Sequence, residues 1–156
     1  MSAQAYSIRM ATVGDVQELA SVAAGGYRSG FAGIMDDTQL ALRDEAHFQQ
    51  RFGVEWPFVA MAMGADGRCH GFVEVRDGTL DMLFIRPDKA GTGCATALLR
   101  QAEAMGAIRL ECFAENARAR RFYEREGWKL AAEYQRAFAG RTMSFVSYTG
   151  ALTGSA

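Results

Sequence analysis

The spacing of apolar residues shifts along the chain, and each shift marks a new element. "YSIRMA" (6–11) alternates over few residues and predicts a short strand. "TVGDVQELASVAAGG" (12–26) has helical spacing. Thr12 sits at its N-cap, Asp15 three residues on completes a capping box, and Gly25-Gly26 marks its stop. "YRSGFAGIM" (27–35) keeps neither period and reads as irregular. "DDTQLALRDEAHFQQRFG" (36–53) predicts one further helix, from Asp36 or Asp37 to Gly53.

The pattern then changes. "PFVAMAM", "RCHGFVEVR" and "TLDMLFIR" are strand-like, and "GADG" and "DG" separate them at hairpin distance, which predicts an antiparallel meander. On "TLDMLFI", strict alternation puts residues 79, 81, 83 and 85 on one face and 80, 82 and 84 on the other. "GTGCATALLRQAEAMG" follows as a helix with Ala95, Leu98, Leu99, Ala102 and Met105 on one face and Gly106 closing it. "AIRLECFAE" reads as a strand, "NARARRFYEREG" as a helix, and "WKLAAEYQRA" with "TMSFVSYTG" as a final hairpin. The order is β-α-α-β-β-β-α-β-α-β-β. It predicts an α/β (α+β) fold: a mixed, mostly antiparallel sheet of about seven strands with helices on both faces.

Composition narrows the class. At 156 residues, one domain over 1–150 with a short polar tail at 151–156 is expected. A net charge of -1 favours neither nucleic acid nor an anionic membrane as partner. Three cysteines without C-x-x-C spacing argue against a disulfide framework or a zinc site and for reduced thiols in a cytoplasmic protein. No apolar run reaches the ~18 residues of a membrane span, and the N-terminus carries no signal-peptide pattern. His47 and His70 are isolated and predict surface or strand positions, not a metal site.

The candidate chemistry lies in "IRPDKAGTGCATALL" (85–99), a glycine turn between a strand and a helix. A P-loop is excluded, because no Gly-Lys-Ser/Thr follows. A dinucleotide-binding oxidoreductase stays as a rival: Gly91-x-Gly93 precedes a helix, and Glu111 and Glu115 follow at the distance of a ribose-binding acid. Against it, Thr96 takes the third glycine position and the preceding strands are hairpin-linked.

"FIRPDKAGTGCATALL" resembles motif A of the GCN5-related N-acetyltransferases (the GNAT family) in its strand, proline, turn and Leu-Leu. Gly93 and Ala95 fill the two small positions. Small residues there let backbone N–H groups approach a pyrophosphate. Ala90 departs from the pattern at its Gln/Arg position, with Lys89 adjacent. "ENARARRFYEREGW" resembles a second family segment through Asn116, Ala119, Phe122, Tyr123, Gly127 and Trp128.

The resemblance implies an N-acetyltransferase that moves acetyl from acetyl-CoA to a primary amine, of a small molecule or a protein, by direct attack. It implies a cofactor site at Lys89, Ala90, Gly91, Thr92, Gly93, Cys94 and Ala95, with the backbone of Leu83, Phe84 and Ile85 pairing with the pantetheine arm. Asn116, Ala119 and Tyr123 complete that site, and Tyr123 is the implied general acid. Asn116 also reads as a plain helix N-cap. Asp81 and Glu74 are the base candidates: Asp81 interrupts an apolar strand, whereas Glu74 reads as a solvent-facing strand residue. Tyr27 and Phe31 are implied walls of the acceptor pocket. A non-catalytic acyl-CoA sensor and a homodimer stay open.

Overall fold

The computed structural model describes residues 6–150, so the expected tail at 151–156 lies outside the described residues. Seven strands form one sheet in the order β1-β2-β3-β4-β5-β7-β6. They are β1 (Ser7–Met10), β2 (Val59–Met63), β3 (Cys69–Arg76), β4 (Thr79–Ile85), β5 (Arg109–Phe113), β6 (Lys129–Phe138) and β7 (Arg141–Thr149). Only β4 and β5 pair in parallel; the other neighbours are antiparallel. That topology removes the dinucleotide-binding alternative, which needs a parallel sheet.

Turn chemistry fixes the two tight hairpins. Asp77-Gly78 has φ of 50° and 79°, and Ala139-Gly140 has φ of 53° and 81°. Two consecutive positive φ values give the twist that antiparallel strands need at a two-residue turn.

The helices differ from expectation in two places. Helix α1 (Val16–Gly30) runs on through Gly25-Gly26 and takes in Tyr27. A Cβ on Gly26 would lie 2.4 Å from the Phe84 ring, so this glycine serves close helix–sheet contact and not termination. The segment 36–53 forms two helices, α2 (Asp37–Ala41) and α3 (Glu45–Glu55). Asp36 caps the first by accepting from the Thr38 and Gln39 N–H groups, and Asp44 starts the second by accepting from His47 N–H. Helices α4 (Cys94–Ala104) and α5 (Ala117–Arg125) stand as expected.

Two cores line the two faces of the sheet. One joins Val73, Val75, Leu80 and Leu110 to Leu98 and Leu99 of α4 and Tyr123 of α5. The other joins Met61, Phe72 and Met82 to Leu19 and Ala23 of α1 and Phe48 and Phe52 of α3. A third, aromatic cluster holds Met35, Phe113, Met143 and Phe145. Helices α1 and α3 therefore cover one face, and α4 and α5 the other.

Candidate active site

The parallel pair at the centre of the sheet is short. Thr79 pairs with Arg109 and Leu80 with Leu110, and there the β4–β5 ladder stops. Arg109 secures the closed end by donating to the Asp77 carbonyl at 2.9 Å and the Thr79 hydroxyl at 3.1 Å. Beyond it β5 continues to Phe113 against β7, and β4 continues to Ile85 against β3. The strands splay, and β4 past Leu80 turns an unpaired backbone edge towards β5.

The open end of the splay leads to the glycine turn. Pro87–Lys89 forms one short helical turn, Ala90 is extended, and Gly91 and Gly93 take φ of 79° and 86°. A residue with a Cβ would pay roughly 1–2 kcal/mol for that left-handed conformation. A Cβ at either glycine would meet nothing within 4 Å, so the space over the turn is clear. Gly93 is the N-cap of α4 and no side chain caps the helix. The first intrahelical bond runs from Ala97 N–H to the Gly93 carbonyl, so the N–H groups of Cys94, Ala95 and Thr96 precede it. A helix start with free N–H groups and no side chain in front of them suits an anion. Ala90 is exposed and adds no donor.

On the α4–α5 face, Tyr123 is buried among Phe122, Trp128 and Tyr148. Burial holds its phenol strongly in the protonated form, and the Cys112 thiol nearby acts in the same direction. Among the described residues its hydroxyl has no hydrogen-bond partner. Ala119, one turn earlier, packs against the same core. Asn116 is the N-cap of α5: its Oδ1 accepts from Ala119 N–H at 3.2 Å. Burial pushes the Cys94 and Cys112 thiols up to about 11, which leaves neither ionised at neutral pH.

On the α1–α3 face the expected alternation along β4 breaks. Val75 pairs with Leu80 and Glu74 with Met82, so Asp81 is the extra residue of a β-bulge. Leu80 packs with the α4 core and Met82 with the α3 core, although strict alternation puts them on one face. Asp81 is thereby exposed beside the start of the splay. Partial burial raises its carboxyl above the ordinary value, while Arg51 and Arg76 pull it back.

Glu74 contradicts the solvent-facing expectation: it is 0% exposed. The Arg51 guanidinium lies 3.6 Å from its carboxyl, and neither oxygen has a hydrogen bond. Glu74 pairs with Met82 across the bulge, so α3 covers it. His70 is also buried, with its Nε2 3.0 Å from Asp66, whereas His47 is exposed.

Tyr27 and Phe31 reach the splay from α1. Phe31 meets Phe84 of β4 at 5.9 Å and Phe113 of β5 at 5.1 Å, so its ring bridges the two diverging strands. Tyr27 packs on Phe31 at 4.8 Å and Phe84 at 5.2 Å. Three residues of this face take places that the sequence did not predict. Phe113 and Phe145 are walls beside Phe31, with rings 5.1 Å apart. Glu111 receives Tyr134 and both nitrogens of an Arg136 fork, which hold its carboxyl below the ordinary value despite partial burial. The period-two pattern of "RLECF" carries the signal for Phe113 and Glu111 on one face; nothing local pairs Glu111 with a residue 25 positions on.

Known proteins share this architecture. A structure from Rhodopseudomonas palustris described as a GCN5-related N-acetyltransferase superposes with a TM-score of 0.74 at 22% identity, over 96% of this chain and 98% of that one. The PaiA N-acetyltransferase of Thermoplasma acidophilum, solved with coenzyme A, superposes with a TM-score of 0.74 at 18% identity, over 93% and 99%. YncA of Salmonella typhimurium, solved with acetyl-CoA, gives 0.66 at 17% identity, over 97% of each chain. A comparison with curated protein sequences found no match. The sequence model of the acetyltransferase (GNAT) domain matches residues 38–148, and the chain belongs to the GNAT acetyltransferase family.

Proposed function

We propose that this chain is an acetyl-CoA-dependent N-acetyltransferase acting on a primary amine of a small molecule or a protein. The observation that carries the reading is the continuity of the splay with an uncapped, glycine-fronted helix start. A pyrophosphate fits over Gly91 and Gly93, where a Cβ would find open space, with the N–H groups of Cys94, Ala95 and Thr96 as donors. Lys89 supplies the nearby positive charge that Ala90 does not. The unpaired edge of Leu83, Phe84 and Ile85 offers backbone groups to the amides of a pantetheine arm, as a further strand would. Asn116, with Oδ1 engaged in its cap, has its amide N–H groups to offer.

Acetyl-CoA, when bound, supplies an activated acyl carbon and a thiolate leaving group. The residues supply the proton steps. An amine attacks only when neutral, so a base must take its proton; this role is assigned to Asp81, and its exposure at the bulge on the α1–α3 face supports the assignment. Tyr123, on the opposite face, keeps its proton at neutral pH and can give it to the departing sulfur. In this reading acid and base act from opposite faces of the sheet, which separates the incoming and leaving groups. Tyr27 and Phe31, with Phe84 and Phe113, wall the acceptor side. No residue is required as nucleophile, and the buried, protonated Cys94 is unsuited to be one.

The test is release of CoA thiol from acetyl-CoA against a panel of amines. Amine-dependent release supports the reading. CoA binding with no release against any amine would favour a non-catalytic acyl-CoA sensor.

A further inference from the structure

The glycine turn is fastened from outside by a residue far away in sequence. Tyr6, just ahead of β1, places its hydroxyl 2.5 Å from Thr92 Oγ1, across 86 positions of chain. Thr92 Oγ1 in turn donates to the Lys89 carbonyl at 2.7 Å. A threonine hydroxyl has one proton, and the carbonyl can only accept. Tyr6 is therefore the donor to Thr92. One phenol thus reaches, through Thr92, both the apex of the turn and the short helical turn that ends at Lys89.

The phenol ring is itself held in place. It packs T-shaped with the His70 ring, centroids 5.5 Å apart, and His70 is 2% exposed and bonded through Nε2 to Asp66. Gly91 and Gly93, between which Thr92 sits, have the freest backbone in the segment.

The geometry points to Tyr6 as a positioning residue for the cofactor turn, one that pre-sets the pyrophosphate donors through Thr92 without touching the cofactor. This rests on the proposed CoA site. Tyr6→Phe keeps the ring and its contact with His70 and removes only the hydroxyl. Its CoA dissociation constant, by calorimetry, should rise about three- to tenfold, the effect of one net hydrogen bond. The loss should appear in KM for acetyl-CoA and not in kcat. Amide hydrogen exchange at 91–96 in the unliganded protein should speed up. Thr92→Val should weaken CoA binding similarly, Thr92→Ser should not, and Tyr6→Phe should add nothing on top of Thr92→Val. A purely structural tyrosine predicts a lower melting temperature with unchanged CoA affinity and unchanged exchange in the turn. That pattern, or equal CoA binding by Thr92→Val and Thr92→Ser, would overturn the role of Tyr6 alone. Failure of the unsubstituted protein to bind CoA would instead refute the CoA site, and the role of Tyr6 with it.

Discussion

The Arg51 guanidinium stands 3.6 Å from a Glu74 carboxyl that solvent does not reach. Arg51 gives its closer contact, 2.9 Å, to Glu55 instead. Burial pushes Glu74 from 4.5 up to about 8, and the Glu55 carboxylate beside it acts in the same direction. The folded protein therefore keeps a proton that the unfolded chain loses above about pH 4.5. The stability from this site is full below that pH and is lost as pH rises through about 8. The melting temperature should fall between pH 5 and 8.5, and Glu74→Gln should flatten the fall. Parallel curves for the two proteins would show that Glu74 is ionised when folded.

Tyr123→Phe removes one hydroxyl from a ring whose packing on Trp128 and Tyr148 remains. Loss of a general acid costs about 10²-fold or more in turnover. CoA affinity and melting temperature should change by no more than about 1 kcal/mol. Full turnover at saturating acetyl-CoA would leave the leaving group to water.

Asp81 should govern the acid limb of the kcat/KM profile. Its carboxyl is raised by partial burial, so that limb should lie above the ordinary carboxylate range and rise with pH as the base ionises. Asp81→Asn should abolish the limb and lower kcat by about 10²-fold. An unchanged limb in the variant would assign the proton to another group or to water.

Gly26→Ala tests how closely α1 must approach β4. The added methyl would lie 2.4 Å from Cδ1 and 3.0 Å from Cγ of Phe84, the root of a ring already packed on Tyr27 and Phe72. Overpacking of this kind costs about 1–3 kcal/mol, measurable by denaturant unfolding. An unchanged midpoint would mean that the helix moves away freely.

Periodicity located every strand because each carries its own alternation or apolar run. It misplaced what depends on contact at a distance. Gly25-Gly26 has the composition of a stop, but Phe84 of β4 decides its role. The run 36–53 keeps one helical period, yet Asp44 restarts the backbone within it by capping His47. The face of Asp81 was misread because a bulge, not composition, sets the register of β4. Glu74 looked exposed since nothing local reveals that α3 covers it. The glycine turn and the Asn116 cap were legible because both are local: a helix start needs a cap or an anion, and small residues mark the second case. Tyr6 was silent because its partner is 86 positions away.

The central claim is that the α4 start holds the pyrophosphate of CoA. It is tested by titrating CoA into the unsubstituted protein, Gly93→Glu and Gly106→Glu, followed by calorimetry. Gly93 and Gly106 have φ of 86° and 95° and open space at the Cβ, so both variants carry a similar backbone strain and the same charge. They stand at opposite ends of α4. The account predicts that the unsubstituted protein and Gly106→Glu bind CoA and that folded Gly93→Glu does not. Equal CoA affinity in folded Gly93→Glu would contradict it.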